Sequence, residues 1–160
     1  MDALMQAGGT RCNSDVTLAA GTTTTISNTG TTHFTIKGKS VTKAAMTNVA
    51  TPTTDAVTGA AFPALTANKG TIVVIGFDAS GNVKAAQGQI KDLDGTGAFI
   101  HAPQLPVLPK TIAAVGYVAL KAGSTLSGTW TFGTNNLSGV TGMTYTFGDL
   151  TDMPNRPIIS

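Results

Sequence analysis

The chain has 160 residues, of which 41% are hydrophobic and only 11% charged, with a formal net charge of +2 and one cysteine. That length is enough for one domain with its own core, because a chain near this size buries roughly 70% of the surface it exposes when unfolded. No basic run is longer than the Lys37/Lys39 pair, which excludes an electrostatic footprint for a phosphate backbone, and the lone Cys12 excludes an intramolecular disulfide framework. Threonine is the commonest residue and glycine numbers 19. β-Branched threonine and helix-breaking glycine together favour strands and turns over helices. A surface this poor in ions predicts burial against other subunits.

In chain order, residues 1–30 hold Gly8-Gly9, Gly21 and a run of threonines at 22–25, with no sustained apolar period. They read as an extended arm that orders on docking, with one strand near 16–20 and a single helical turn at 2–6. Cys12 then reads as an incidental thiol of that arm. The opening MDALMQAGG has neither the basic region nor the apolar block of a secretory leader, and nowhere do about 18 apolar residues run together, so synthesis and folding in the cytosol are expected. Residues 32–42, THFTIKGKSVT, alternate through Phe34, Ile36 and Val41 and predict the first pair of core strands, bent at Gly38. Residues 43–50 fit a short helix or a strand. Residues 51–70, rich in Thr, Ala, Pro and Gly, form a long connection of the kind that is usually functional or an assembly surface.

The firmest local pattern is 71–90, TIVVIGFDASGNVKAAQGQI, a complete β-hairpin whose Asp78-Ala79-Ser80-Gly81-Asn82 cluster supplies the reversal. Its first strand, 72–77, is apolar on both faces and belongs inside a sandwich or barrel. The partner, 83–90, carries Lys84, Gln87 and Gln89 and is expected to face water or another chain on one side. Pro103, Pro106 and Pro109 recur every third residue and impose an extended strap. Residues 111–122, TIAAVGYVALKA, fit a strand better than the competing helix because of Val115, Gly116 and Val118; Gly116 admits a close neighbour. Short strands at 130–132 and 143–147 follow, the second with Tyr145 and Phe147 on one face. Together these predict an all-β, β-sandwich or jelly-roll-like domain at 31–148, with the N-terminal arm before it and a proline-stiffened tail at 149–160.

The site motifs each have a plainer reading. Gly38-Lys39-Ser40 ends like a phosphate loop, but His33 stands where the required first Gly belongs and no helix follows. Asp78, Ser80 and Asn82 alternate like a calcium loop, yet Val83 replaces the turn Gly and Gln89 the bidentate Glu, while Asp92-x-Asp94-Gly95 is better explained as a capped turn. His33 and His101 lack a second ligand at metal spacing and read as surface or core imidazoles. No nucleophile elbow, acid/base carboxylate pair or Cys-His pair is present, so the sequence supports no enzyme and no cofactor. Trp130, Tyr117 and Tyr145 could line a sugar-binding groove, but three rings at unrelated positions more often fill the core. Asn136-Leu137-Ser138 matches a glycosylation acceptor that a cytosolic chain would not use.

The phrases ANKGTIVVIGFDASGNVKAAQGQI, GYVALKAGSTLSGTWTFGTNNL and TYTFGDLTDMPNRPIIS together resemble small virion proteins encoded among the head and structural genes of tailed bacteriophages. The resemblance spans about the last two thirds of the chain and contains no catalytic signature. It implies a β-sandwich capsid decoration or cement protein, assembled as a homotrimer on the capsid surface of the virion after synthesis in the bacterial cytoplasm. Such a protein binds the major capsid protein lattice and stabilises the head through many individually modest contacts. It has no cofactor, nucleic-acid, membrane or small-molecule partner. On that reading the arm and the tail, with Arg156, Ile158 and Ile159 at the interface, reach neighbouring subunits while the sandwich makes the rigid contact. The alternatives are a tail, neck or fibre-associated virion protein, a carbohydrate-binding module or adhesin, and, less in keeping with the residues, a hydrolase.

Overall fold

Two long strands dominate a computed structural model that describes residues 9–150. The fully apolar run of the predicted hairpin becomes β7 (Lys69–Asp78), and the Ala/Val-rich run near residue 115 becomes β10 (Ile112–Ala122). Both are buried nearly end to end, as strands apolar on both faces must be. They pair antiparallel from Ile112↔Asp78 to Ala122↔Lys69. β8 (Val83–Gln87) completes the hairpin and β11 (Met143–Asp149) adds the opposite edge, giving the order β11-β10-β7-β8; the short β9 (Lys91–Asp92) pairs with the start of β7.

The other strands make two three-stranded sheets. One is β1 (Arg11–Cys12), β4 (Thr32–Ile36) and β5 (Lys39–Lys43) in the order β1-β4-β5. The other is β2 (Leu18–Ala20), β3 (Thr25–Asn28) and β6 (Met46–Ala50) in the order β2-β3-β6. Their apolar residues Cys12, Phe34, Leu18, Ile26 and Met46 join Val73, Ile75 and Phe77 of β7 and Val118 and Leu120 of β10 in the main core. The rings of Phe34 and Phe77 lie 5.6 Å apart across it. The protein is thus an all-β, sandwich-like domain, and no helix occurs among the described residues.

A bulge in β10 lets that strand serve two cores. The β7 register slips between Ala114 and Gly116, and the extra residue changes which parity faces inward. Ala113 before it, the extra residue Val115 itself, and Val118, Leu120 and Ala122 after it all point into the main core, while Ala114 and Tyr117 point to the other face. At Gly116 a side chain would have its Cβ 2.7 Å from Leu18 Cδ1, the close approach the sequence predicts.

The second face of the large sheet has a smaller core of Val74, Ala86, Leu108, Ile112, Ala114 and Leu150, with Leu105 and Ala56 against it. Its cover is the proline strap, which runs without regular structure through residues 102–109. The strap lies so close that a Cβ on Gly88 would sit 2.7 Å from Gln104 O and one on Gly76 2.9 Å from Leu108 Cδ1.

Several expectations are corrected. From Gly9 onward the expected arm is packed: it supplies β1, β2 and β3, and Cys12, Val16, Leu18 and Ile26 are all buried. It is also stitched to distant loops, with Leu137 N donating to Thr23 O and Ser138 Oγ to Gly21 O. Short apolar positions spaced among threonines were enough to enter the core once partner strands existed. Cys12 is a core thiol whose Sγ lies 3.2 Å from Ser14 O. Residues 130–132 form no strand beyond a single bridge of Trp130 with Leu65, because a turn begins at Thr131, which accepts from Thr134 N and Asn135 N. Residues 43–50 resolve into β6, on the strand side of that open choice. The helical turn at 2–6 and the tail positions Arg156, Ile158 and Ile159 lie outside the described residues.

Candidate functional site

The carboxylates, which would have to furnish acid, base or metal chemistry, are held mostly by the backbone around them. Asp55, 5% exposed, accepts from Val57 N (2.7 Å) and Thr58 N (3.1 Å) at Oδ1 and from Gln87 N (2.8 Å) at Oδ2. It thereby fastens the 51–68 connection along the outer edge of β8, where Ala56 N also donates to Ala85 O. The strand expected to face water or another chain therefore has its free edge lined by this loop. Sequence reading passed Asp55 over; an Asp opening a turn that closes on Gly59, at φ +71°, was the signal available.

Asp78 closes the central hairpin by accepting from Ser80 N, Asn82 N and Asn82 Nδ2. Burial pushes its carboxyl upward, but these hydrogen bonds and the Lys84 charge outweigh that and hold it below the ordinary value. Asp94 accepts from Thr96 Oγ1, Thr96 N and Ala98 N, and those bonds likewise lower its pKa. Asp92 pairs with Lys69 on the surface and is lowered by that hydrogen bond and charge. Both calcium-like motifs are thus hydrogen-bonded turns, and no cluster of three potential metal ligands occurs among the described residues.

The phosphate-loop look-alike is a hairpin turn. Lys37 and Gly38 have φ of 50° and 79°, the paired positive values of a type I′ reversal between β4 and β5. His33 and His101 are both exposed. Trp130 is 2% exposed, donates from Nε1 to Asn136 O and packs against Phe132 at 6.5 Å. Tyr117 packs onto Gly148, where a Cβ would collide with its ring. The three aromatic residues of the alternative sugar groove are therefore not all presented to solvent: Trp130 is core, as the favoured reading has it, Tyr117 is half-buried over the second face, and Tyr145 is exposed.

Two surface features remain. An open groove of about 930 Å³ runs between the 94–97 turn, Ser124-Thr125 and Gly142–Thr144; its one cation, Lys121, lies over the Phe99 ring with Nζ 5.1 Å from the centroid. The second feature is apolar. Val57 and Ile100 are each 56% exposed and Val107 is 44% exposed. They belong to the segments that cover the second face of the large sheet, where Ala56, Leu105 and Leu108 point inward. That covering layer is anchored by Ala56 and two leucines on its inner side and shows β-branched residues on its outer side.

Compared with protein-family models, with curated proteins and with solved structures, the chain matches none.

Proposed function

We propose that this is a non-enzymatic structural protein of a tailed-phage particle, a decoration or cement protein that binds the outer surface of the capsid lattice. The observation that carries the binding half of this reading is the exposure of Val57, Ile100 and Val107 on the strap-covered face of a chain with only 11% charged residues. Exposed apolar side chains gain by being covered. The use of Asp55, Asp78 and Asp94 as backbone caps supports the non-enzymatic half, since their oxygens are engaged in fixing turns. The phage assignment itself rests on the resemblance of the three sequence phrases.

Two measurements test the reading. Densitometry of purified particles is expected to show this chain in many copies spread over the head; a few copies at one vertex would move it to the tail or neck, and its absence from particles would end the proposal. Binding of the purified chain to capsids lacking it is expected to weaken at least about tenfold in Val57→Asp/Val107→Asp, because a carboxylate cannot be buried unpaired. Unchanged binding would remove the strap face from the contact.

A further inference from the structure

The exposed strand edges of this fold are guarded in different ways, with one exception. β5 carries Lys39 and Lys43 at its two ends. β6 is kinked at Asn48, which has φ 51° beside a register shift in its pairing with β3. β8 is lined by Asp55 and Ala56, and β1 and β2 are too short to template a partner. Lysines, kinks, covering loops and shortness are the usual means of keeping an edge from pairing with another chain. Among the described residues β11 has none of them, and its one contact of this kind is at its C-terminal end, where Val16 N donates to Asp149 Oδ2. It runs seven residues, MTYTFGD, in unbroken register with β10 from Met143↔Ala122 to Asp149↔Gly116, and it lacks lysine, proline and any bulge.

The flanking hydrogen bonds fix which backbone groups point outward. Gly123 N donates to Gly142 O and Leu150 N to Val115 O, so the even-numbered residues of β11 bond to β10 and the odd-numbered ones turn their N–H and C=O to the open side. Among the described residues none pairs with the outward groups of Tyr145 and Phe147. Thr144, Tyr145 and Thr146 are exposed.

We infer that the β11 edge pairs antiparallel with β11 of a second copy of this chain, about a two-fold axis at Thr146. Full overlap of the strand with itself sets Tyr145 opposite Phe147 of the second copy, each exchanging both ladder hydrogen bonds. Tyr145 and Phe147 already meet edge to face at 6.0 Å within one strand, so the pairing continues one row of rings across the axis, an arrangement that stabilises cross-strand pairs. Asp149, the only charge on the strand, falls opposite Met143, and no like charges meet. The C-terminal stretch of the same chain fits the edge less well, because Pro154 and Pro157 lack the N–H groups of a regular ladder. The contact requires only two copies of this chain and is independent of the virion reading.

Sedimentation of the full chain from about 1 µM to about 1 mM, the range in which a small interface is read, is expected to show a reversible monomer–dimer equilibrium. Thr146 is exposed and at the axis, so Thr146→Lys and Thr146→Asp should each retain the wild-type circular dichroism yet raise the dissociation constant at least about tenfold by apposing like charges. Mixing the two variants should restore association. Thr146→Cys should cross-link readily on oxidation, because axial Cα atoms about 4.5 Å apart lie within disulfide reach; Thr144→Cys, off the axis, should not. A chain that stays monomeric throughout, association unaffected by Thr146→Lys, or equal cross-linking at both positions would overturn the inference, as would a β11 edge that captures a foreign strand but never its own copy.

Discussion

Asp55 shows how one side chain can hold a long connection in place. Three backbone N–H groups from two segments converge on its two oxygens, and the residue is nearly inaccessible to water. Asp55→Ala leaves those donors without partners, at an expected cost of about 3 kcal/mol, read as a lower urea midpoint with an unchanged slope. Asp78 makes a different prediction because its carboxyl is held below 3.8 in the fold. A lowered carboxyl stabilises the folded state above its unfolded pKa, and that contribution is lost as pH falls through the folded value. Stability measured between about pH 5 and pH 2 should therefore fall on acidification, and Asp78→Asn should make the fall shallower. Equal acid sensitivity in both proteins would mean that the hairpin turn does not carry the effect.

At the scale of elements, the strap and the large sheet depend on small residues at their contact. Gly88 and Gly76 leave room for Gln104 O and Leu108, and the second core exists only because the strap can lie flat on the sheet. Gly88→Val should lift the strap at a cost of about 1–3 kcal/mol. Hydrogen exchange should then speed up in residues 101–109 and β8 while the centre of β7 stays protected; uniform loss would show that the strap is not a separate layer. The β10 bulge belongs to this scale as well. Without the extra residue at Val115, Val118, Leu120 and Ala122 would turn away from the main core.

For the whole molecule, the most consequential correction concerns the first thirty residues. Burying a side chain the size of Val, Leu or Ile contributes roughly 1.5–3 kcal/mol, and Cys12, Val16, Leu18 and Ile26 together approach the roughly 5–15 kcal/mol by which domains are stable. A chain beginning at Gly30 is therefore expected to lose cooperative thermal unfolding, so reduced capsid occupancy in such a truncation would report lost folding and not a lost arm. Removing only residues 1–8 deletes no residue of a described strand, and it is the truncation that separates docking from folding.

Strand identity was legible in the residues themselves. β7, β8, β10 and β11, the turn at Asp78 and the bend at Gly38 follow from alternation, β-branching and turn chemistry, which act within a few residues of sequence. The all-β sandwich class followed from the same local rules. What tertiary structure alone decided was which weakly patterned segments found partners. Residues 11–28 entered the core because facing strands offered an apolar surface, and Asp55 became a clamp only when the β8 edge lay beside it. These outcomes depend on contacts between residues far apart in the chain, and neither propensity nor spacing encodes such contacts.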